Sequence, residues 1–255
     1  MRSKLATITA VIIGGAVSIS VSRASAQVFL GPTPYLSQSD SPFIAGIQNG
    51  TIYLETFESG ALTVPGVSIS DGMVNDPGPL TDSVDADDGV IDGLGRAGHS
   101  WFFGDGSIGI RFTFNPTVLG GLPTEAGIVW TDGAPTSTTL FQAFGPNGAL
   151  LGSVGPVAIA DGNNIGTTAE DRFFGVTYPG GISAILITDS FGGMEVDHLQ
   201  YGLPVQAQAV PALGGGQVFA VAAMFVLVGA LLLSPKVRFR PRRPRKSAVP
   251  PRCHG

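Results

Sequence analysis

The sequence predicts an all-β fold, an antiparallel sandwich or jelly roll, with a membrane-directed segment at each end. Short runs of β-branched and aromatic residues recur between clusters of Gly, Pro, Asn and Asp, and 37 of 255 residues are glycine, a density suited to turns. Apolar spacing of helical period is missing from the middle of the chain, so a parallel sheet would lack its crossover helices. Charge is sharply partitioned. Three basic residues (Arg2, Lys4, Arg23) precede position 27 and eight follow position 235, whereas the middle holds only Arg96, Arg111 and Arg172 beside all 19 carboxylates, a net charge of −16. Such a surface repels polyphosphate, which excludes nucleic acid as the expected partner of the main domain.

The N-terminal 26 residues read as a secretory signal peptide. Arg2 and Lys4 give a positive start, residues 5–20 are apolar apart from Ser and Thr, and Ala24-Ser25-Ala26 fits the small-x-small cleavage pattern, leaving Gln27 first. An uncleaved anchor helix is the alternative. Residues 27–50, rich in Pro and Ser at their start, are expected to form an extended lead-in.

Residues 51–202 carry the sandwich. Expected strands lie at 52–57, 108–114, 127–131, 139–144, 149–154, 172–178, 182–188 and 194–201. The clearest is 108–114, where Ile108, Ile110, Phe112 and Phe114 fall on one face. A linker follows at 203–213. Residues 214–233 are free of charge, and twenty helical residues at about 1.5 Å each span a hydrocarbon core. The basic tail at 234–255 begins its cluster at Lys236 and belongs on the cytoplasmic side, which puts the sandwich outside. The one cysteine, Cys253, lies in that tail, so the outer domain has no disulfide to rely on.

The strongest local feature is acidic. Asp76, Asp82, Asp85, Asp87, Asp88 and Asp92 fall within 17 residues with no basic residue among them. Hard oxygen ligands at this density suit calcium, and the expected ligand set is Asp82, Asp85, Asp87, Asp88 and Asp92 together with Asp197. The EF-hand pattern is not met: Gly89 is fifth from Asp85 and no Glu closes the loop. A solvated acidic loop is the other reading.

Glu195-Val196-Asp197-His198-Leu199-Gln200 places Glu195 and Asp197 on one face of a strand. This segment resembles the Glu-x-Asp-x-x-Glu signature of jelly-roll glycoside hydrolases related to laminarinases. In that family the first Glu is the nucleophile and the last the acid/base, but the last position here is Gln200, which cannot donate as a carboxylic acid does. An enzyme reading, a jelly-roll glycan hydrolase or lyase using Glu195 and Asp197, therefore needs a second carboxylate near Glu195, from Glu55, Glu58 or Glu170. Gly104-Asp105-Gly106-Ser107-Ile108-Gly109 matches G-x-G-x-x-G by spelling, yet a strand follows it and a hairpin turn is expected. Gly98-His99-Ser100-Trp101-Phe102 lacks the last Gly of a nucleophile elbow. His99 and His198 are read as hydrogen-bonding residues, and Trp101, Trp130, Tyr178 and Tyr201 as core aromatics.

Leader, Gly-rich acidic β-domain, Val210-Pro211-Ala212-Leu213-Gly214, apolar helix and Arg cluster together resemble bacterial exported proteins carrying a PEP-CTERM-type sorting tail. Val210, Pro211 and Leu213 match the Val-Pro-x-Leu variant, while the Pro-Glu-Pro triplet is missing and the tail is long. The stretches 81–93, 126–133, 169–176 and 195–202 are similar to a recurring domain of such proteins. The resemblance implies processing by an exosortase-type enzyme, location at the cell envelope or extracellular surface, and association with the extracellular matrix. The function expected is accordingly non-enzymatic: binding extracellular polysaccharide or structuring the matrix, with calcium as cofactor and the membrane as anchor.

Overall fold

Period-two alternation accounts for most of the architecture. A computed structural model describes residues 26–167 and 170–203. They form twelve strands: β1 (Val28–Pro34), β2 (Ile52–Glu55), β3 (Val67–Ile69), β4 (Met73–Asn75), β5 (Ser100–Phe103), β6 (Ile110–Phe114), β7 (Glu125–Gly133), β8 (Thr139–Phe144), β9 (Leu150–Val157), β10 (Arg172–Thr177), β11 (Ala184–Asp189) and β12 (Met194–Gly202). Seven build one sheet in the order β1-β10-β7-β12-β5-β4, with β2 paired to the far end of β12; five build the other, β3-β6-β11-β8-β9. Every pairing is antiparallel. Successive strands from β9 to β12 alternate between the sheets, so most of their connections cross the sandwich.

The inward faces meet in one core. Ile110, Phe112, Phe114, Trp130, Phe141, Phe174, Ile185 and Tyr201 are buried there, while Thr113 between two of them is exposed. The outward face of the seven-stranded sheet is not left to water. Val129 and Phe173, which alternate with core residues Ile128 and Phe174, pack outward with Tyr35, Phe43, Ile52 and Val84 into a second apolar cluster. Residues 35–50, with the short helix α1 (Ile44–Asn49), and the acidic segment 76–99 lie over this face. That cover decides what the face can do.

Three expectations need correction. The lead-in is part of the sandwich: β1 pairs with β10 from Val28↔Thr177 to Pro34↔Arg172, with a register shift between Leu30 and Thr33. Gly31, Pro32 and Pro34 hide the strand pattern, and an edge strand tolerates such residues. The turn at 104–109 is not a hairpin, because it carries the chain from β5 in one sheet to β6 in the other. Ile108 sits in that turn and is exposed, so the buried face of the run begins at Ile110. Gly109 needs its lack of a side chain: its φ is +80° and a Cβ would lie 2.3 Å from the Ile187 carbonyl oxygen.

The signal peptide up to Arg23 and Ala24, the sorting motif Val210, Pro211 and Leu213, the apolar stretch 214–233 and the basic tail lie outside the described residues. Ala26 is exposed coil before β1. Among the described residues no helix is long and apolar enough to cross a membrane.

Candidate functional site: a buried acidic cluster beside a cleft

The strands β7 and β12 are neighbours for nearly their whole length, and each carries one extra residue. Glu195 pairs with Asp132 and Val196 with Trp130, so Thr131 bulges from β7; Asp197 pairs with Val129 and Gln200 with Gly127, so β12 bulges at His198-Leu199. His198 has φ +46°, in the left-handed region that a bulge can require. The first bulge turns Asp132 to the outward face opposite Glu195. The second sends Asp197 and His198 outward in succession and still returns Leu199 and Tyr201 to the core.

Glu195 is 4% exposed and fully engaged. Its Oε1 accepts from Asn75 Nδ2 (2.9 Å), and its Oε2 from the Asp82 N–H (2.9 Å) and the Ser100 hydroxyl (2.5 Å). Burial, opposed by those donors, pushes its carboxyl up to about 7. Asp132, also buried, accepts from the Gly133 N–H (2.6 Å), and burial raises it to about 6. Glu170 and Asp171 immediately precede β10, the strand next to β7. Glu195 and Asp132 lie across from each other, Asp82 donates its N–H to Glu195, and the charges of Asp132, Glu195 and Glu170 all bear on Asp82.

Burial, reinforced by neighbouring carboxylates, pushes Asp82 and Glu170 each up to about 9. Asp171 is raised well above the carboxylate range by burial, then by the charges of Asp82, Asp197 and Glu170. Desolvation and like-charge repulsion both favour the neutral acids here. Gly95 is fitted to this packing: a Cβ would lie 2.2 Å from Asp82 Oδ1 and 2.3 Å from the Ser83 carbonyl oxygen.

A pH dependence follows for protein kept free of divalent cations. Unfolded, these carboxyls lose their protons near their ordinary values of 3.8 and 4.5; folded, they hold them to between about 6 and 9. Across that window the folded state binds more protons, so stability is greatest on the acid side and falls as pH rises. Urea unfolding midpoints in chelator should decrease from pH 5 to pH 9; an increase would mean that the cluster is already compensated by positive charge.

The other predicted ligands divide into two groups. Asp85 is buried and holds its own loop, accepting from the backbone N–H groups of Asp92 (3.2 Å), Gly93 (3.0 Å) and Leu94 (3.4 Å). Asp88 and Asp92 are exposed, away from the buried group. Asp87 and Asp197 meet His198, with ligand atoms all within 4.8 Å of one another. Their hydrogen bonds are already complete. Asp197 accepts from the N–H groups of Val84 (2.9 Å) and His198 (2.6 Å). His198 Nε2 lies 3.0 Å from Asp87 Oδ1, its Nδ1 lies 2.8 Å from the Tyr35 hydroxyl, Gln200 Nε2 donates to that hydroxyl, and Ser41 donates to Gln200 Oε1. This chain satisfies every member in one direction when Nε2 carries the proton, and it ties residues 35–43 onto β12.

The carboxylates sought as partners for Glu195 are mostly elsewhere. Glu55, on β2 at the other end of β12, closes residues 57–64 by accepting from Phe57, Thr63 and Val64 N–H groups. Glu58 faces His99, 3.3 Å away. Glu170 does join the cluster, and Asp132, missed in the sequence, lies directly across from Glu195. Trp130 and Tyr201 are core residues, and Trp101 and Tyr178 pack against the same core.

Beside the cluster opens a cleft of about 410 Å³ lined by Asn75, Leu80, Phe102, Asp132, Asn164 and Glu195, among others. An aromatic ring, two side-chain amides and two carboxyl groups can cover the apolar face of a sugar and hydrogen-bond its hydroxyls. Set against known protein families, curated proteins and solved structures, the chain matches none.

Proposed function

We propose that the protein is an exported, envelope-associated, non-enzymatic β-sandwich that binds extracellular polysaccharide in the cleft beside Glu195. The leader and the apolar C-terminal stretch would deliver and anchor it, with exosortase-type processing at Val210-Pro211-x-Leu213 and calcium as cofactor. The observation that carries the binding role is the cleft itself, where Phe102 lies beside Asn75, Asn164 and Asp132. With 19 carboxylates against three arginines in this part of the chain, a neutral, hydroxyl-rich glycan is favoured over an acidic one unless calcium bridges the two.

A glycan array probed with the protein, in calcium and then in chelator, tests the proposal. Phe102→Ala should weaken the bound glycan by about tenfold, as expected for losing a stacking surface worth about 1.4 kcal/mol. No glycan bound in either condition would remove the reading.

The enzyme alternative has one observation in its favour: Glu195 and Asp132 face each other in the cleft. Asp197, fully buried behind Val84 and His198, is not available to substrate. Glu195 is held by three donors, which leaves it poorly placed as a nucleophile or acid. Reducing ends released from the bound glycan, and lost in Glu195→Gln, would reverse the choice.

A further inference from the structure

Among the described residues, the buried side-chain polar atoms without a hydrogen-bond partner are all oxygens: Asp82 Oδ1, Glu170 Oε1, both Oδ atoms of Asp171, and Thr131 Oγ1. Buried polar atoms are ordinarily paired, and leaving one unpaired is costly, more so for a charged group. Five in one protein would be a scattered cost. Here they are gathered. Glu170 and Asp171 are consecutive at the entry to β10, Asp82 donates its N–H to Glu195, which pairs with Asp132, and Asp171 lies within reach of the charges of both Asp82 and Glu170. Asp171 is 0% exposed, and Asp82 and Glu170 are each 1% exposed.

We propose that Asp82, Glu170 and Asp171 bind one calcium ion inside the domain, with the Thr131 hydroxyl and the Asp132 carboxyl as flanking oxygens. The donors are hard oxygens without nitrogen or sulfur, the set calcium takes at six to eight coordination and zinc does not favour. The ion's charge offsets the mutual repulsion of carboxylates contributed by segment 76–99, β7 and the residues leading into β10. It works as a staple holding the acidic segment to the sheet. In this it differs from the ligand set the sequence suggests: Asp85, Asp87 and Asp197 have their oxygens satisfied by protein donors, and Asp88 and Asp92 lie at the surface. The proposal holds whether or not the cleft takes a glycan.

The test uses the full chain, stripped with chelator and titrated with calcium chloride, with unfolding followed by the fluorescence of Trp101 and Trp130. Calcium should raise the unfolding temperature saturably, and elemental analysis of the dialysed protein should find one calcium per chain. Asp171→Asn should abolish the calcium-induced rise, yet in chelator unfold at a higher temperature than the unsubstituted protein, because a buried like charge is gone. A merely structural carboxyl would not give that reversal. Should Asp171→Asn not fold, Glu170→Gln is read in the same way, with at least a tenfold weaker calcium midpoint expected. Unfolding temperatures indifferent to calcium would overturn the proposal. So would an Asp87→Asn variant that removed the calcium effect while Asp171→Asn kept it, since the ion would then belong to the Asp87–Asp197–His198 group.

Discussion

A chain that starts at Thr51, where the sequence alone places the beginning of the sandwich, should fail to fold. It lacks β1, the fifth residue pairing of which reaches Arg172, and it lacks Tyr35 and Phe43 from the outward apolar cluster. Losing the burial of two aromatic side chains removes about 3–6 kcal/mol, before the strand's own hydrogen bonds are counted. Domains are stable by only about 5–15 kcal/mol. The loss also uncovers Phe173 and Val129 and breaks the chain from Ser41 through Gln200 and Tyr35 to His198. A proton NMR spectrum of this shortened chain should lack the dispersed amide signals of a chain that starts at Gln27. Equal dispersion in the two would show that the outward cover is dispensable.

Trp130→Ala should be nearly as damaging and should act from the other side of the sheet. Trp130 is fully buried at the centre of the core, and truncating such a side chain costs about 3–5 kcal/mol. Its Nε1 also donates to Asp189 at 3.3 Å, although Ser137 (3.2 Å) and Thr139 (2.7 Å) would still hold that carboxylate. The expected result is a urea midpoint lowered by more than half, or no cooperative transition at all. A shift of a few tenths molar would mean that the two sheets share less of the core than their packing implies.

The eight strands expected from the sequence all occur, because each has an alternating or continuous apolar run that one or both sheet faces bury. Those missed have a common physical reason. β3 and β4 are three residues long, β5 is four, and β1 is interrupted by Gly and Pro, so a partner strand rather than local pattern makes them strands. The acidic segment was visible as a run of aspartates, but which of them point inward was not. That depends on residues far along the chain: Asp132, Glu170 and Asp171 come from two separate strand ends. One signal was present. The alternation Met194-x-Val196 resumes as Leu199-x-Tyr201 one residue out of phase, with Asp197-His198 as two consecutive polar residues between. A phase slip of that kind marks a bulge, and bulges re-aim side chains at sites.

The two bulges also cancel. Before Glu195 and after Gln200 the pairing of β12 with β7 keeps one register; only the short stretch between, around Val196-Asp197 and Val129-Trp130, is displaced by a single residue. The effect resembles a pair of compensating frameshifts. One extra residue alone would turn the rest of its strand inside out, exposing Leu199 and Tyr201 while driving Gln200 into the apolar interior. Two, on facing strands, confine the disturbance to a window and restore the frame beyond it. A sandwich built this way can rewrite the chemistry of its outward face in that window while its inner face goes on packing as before.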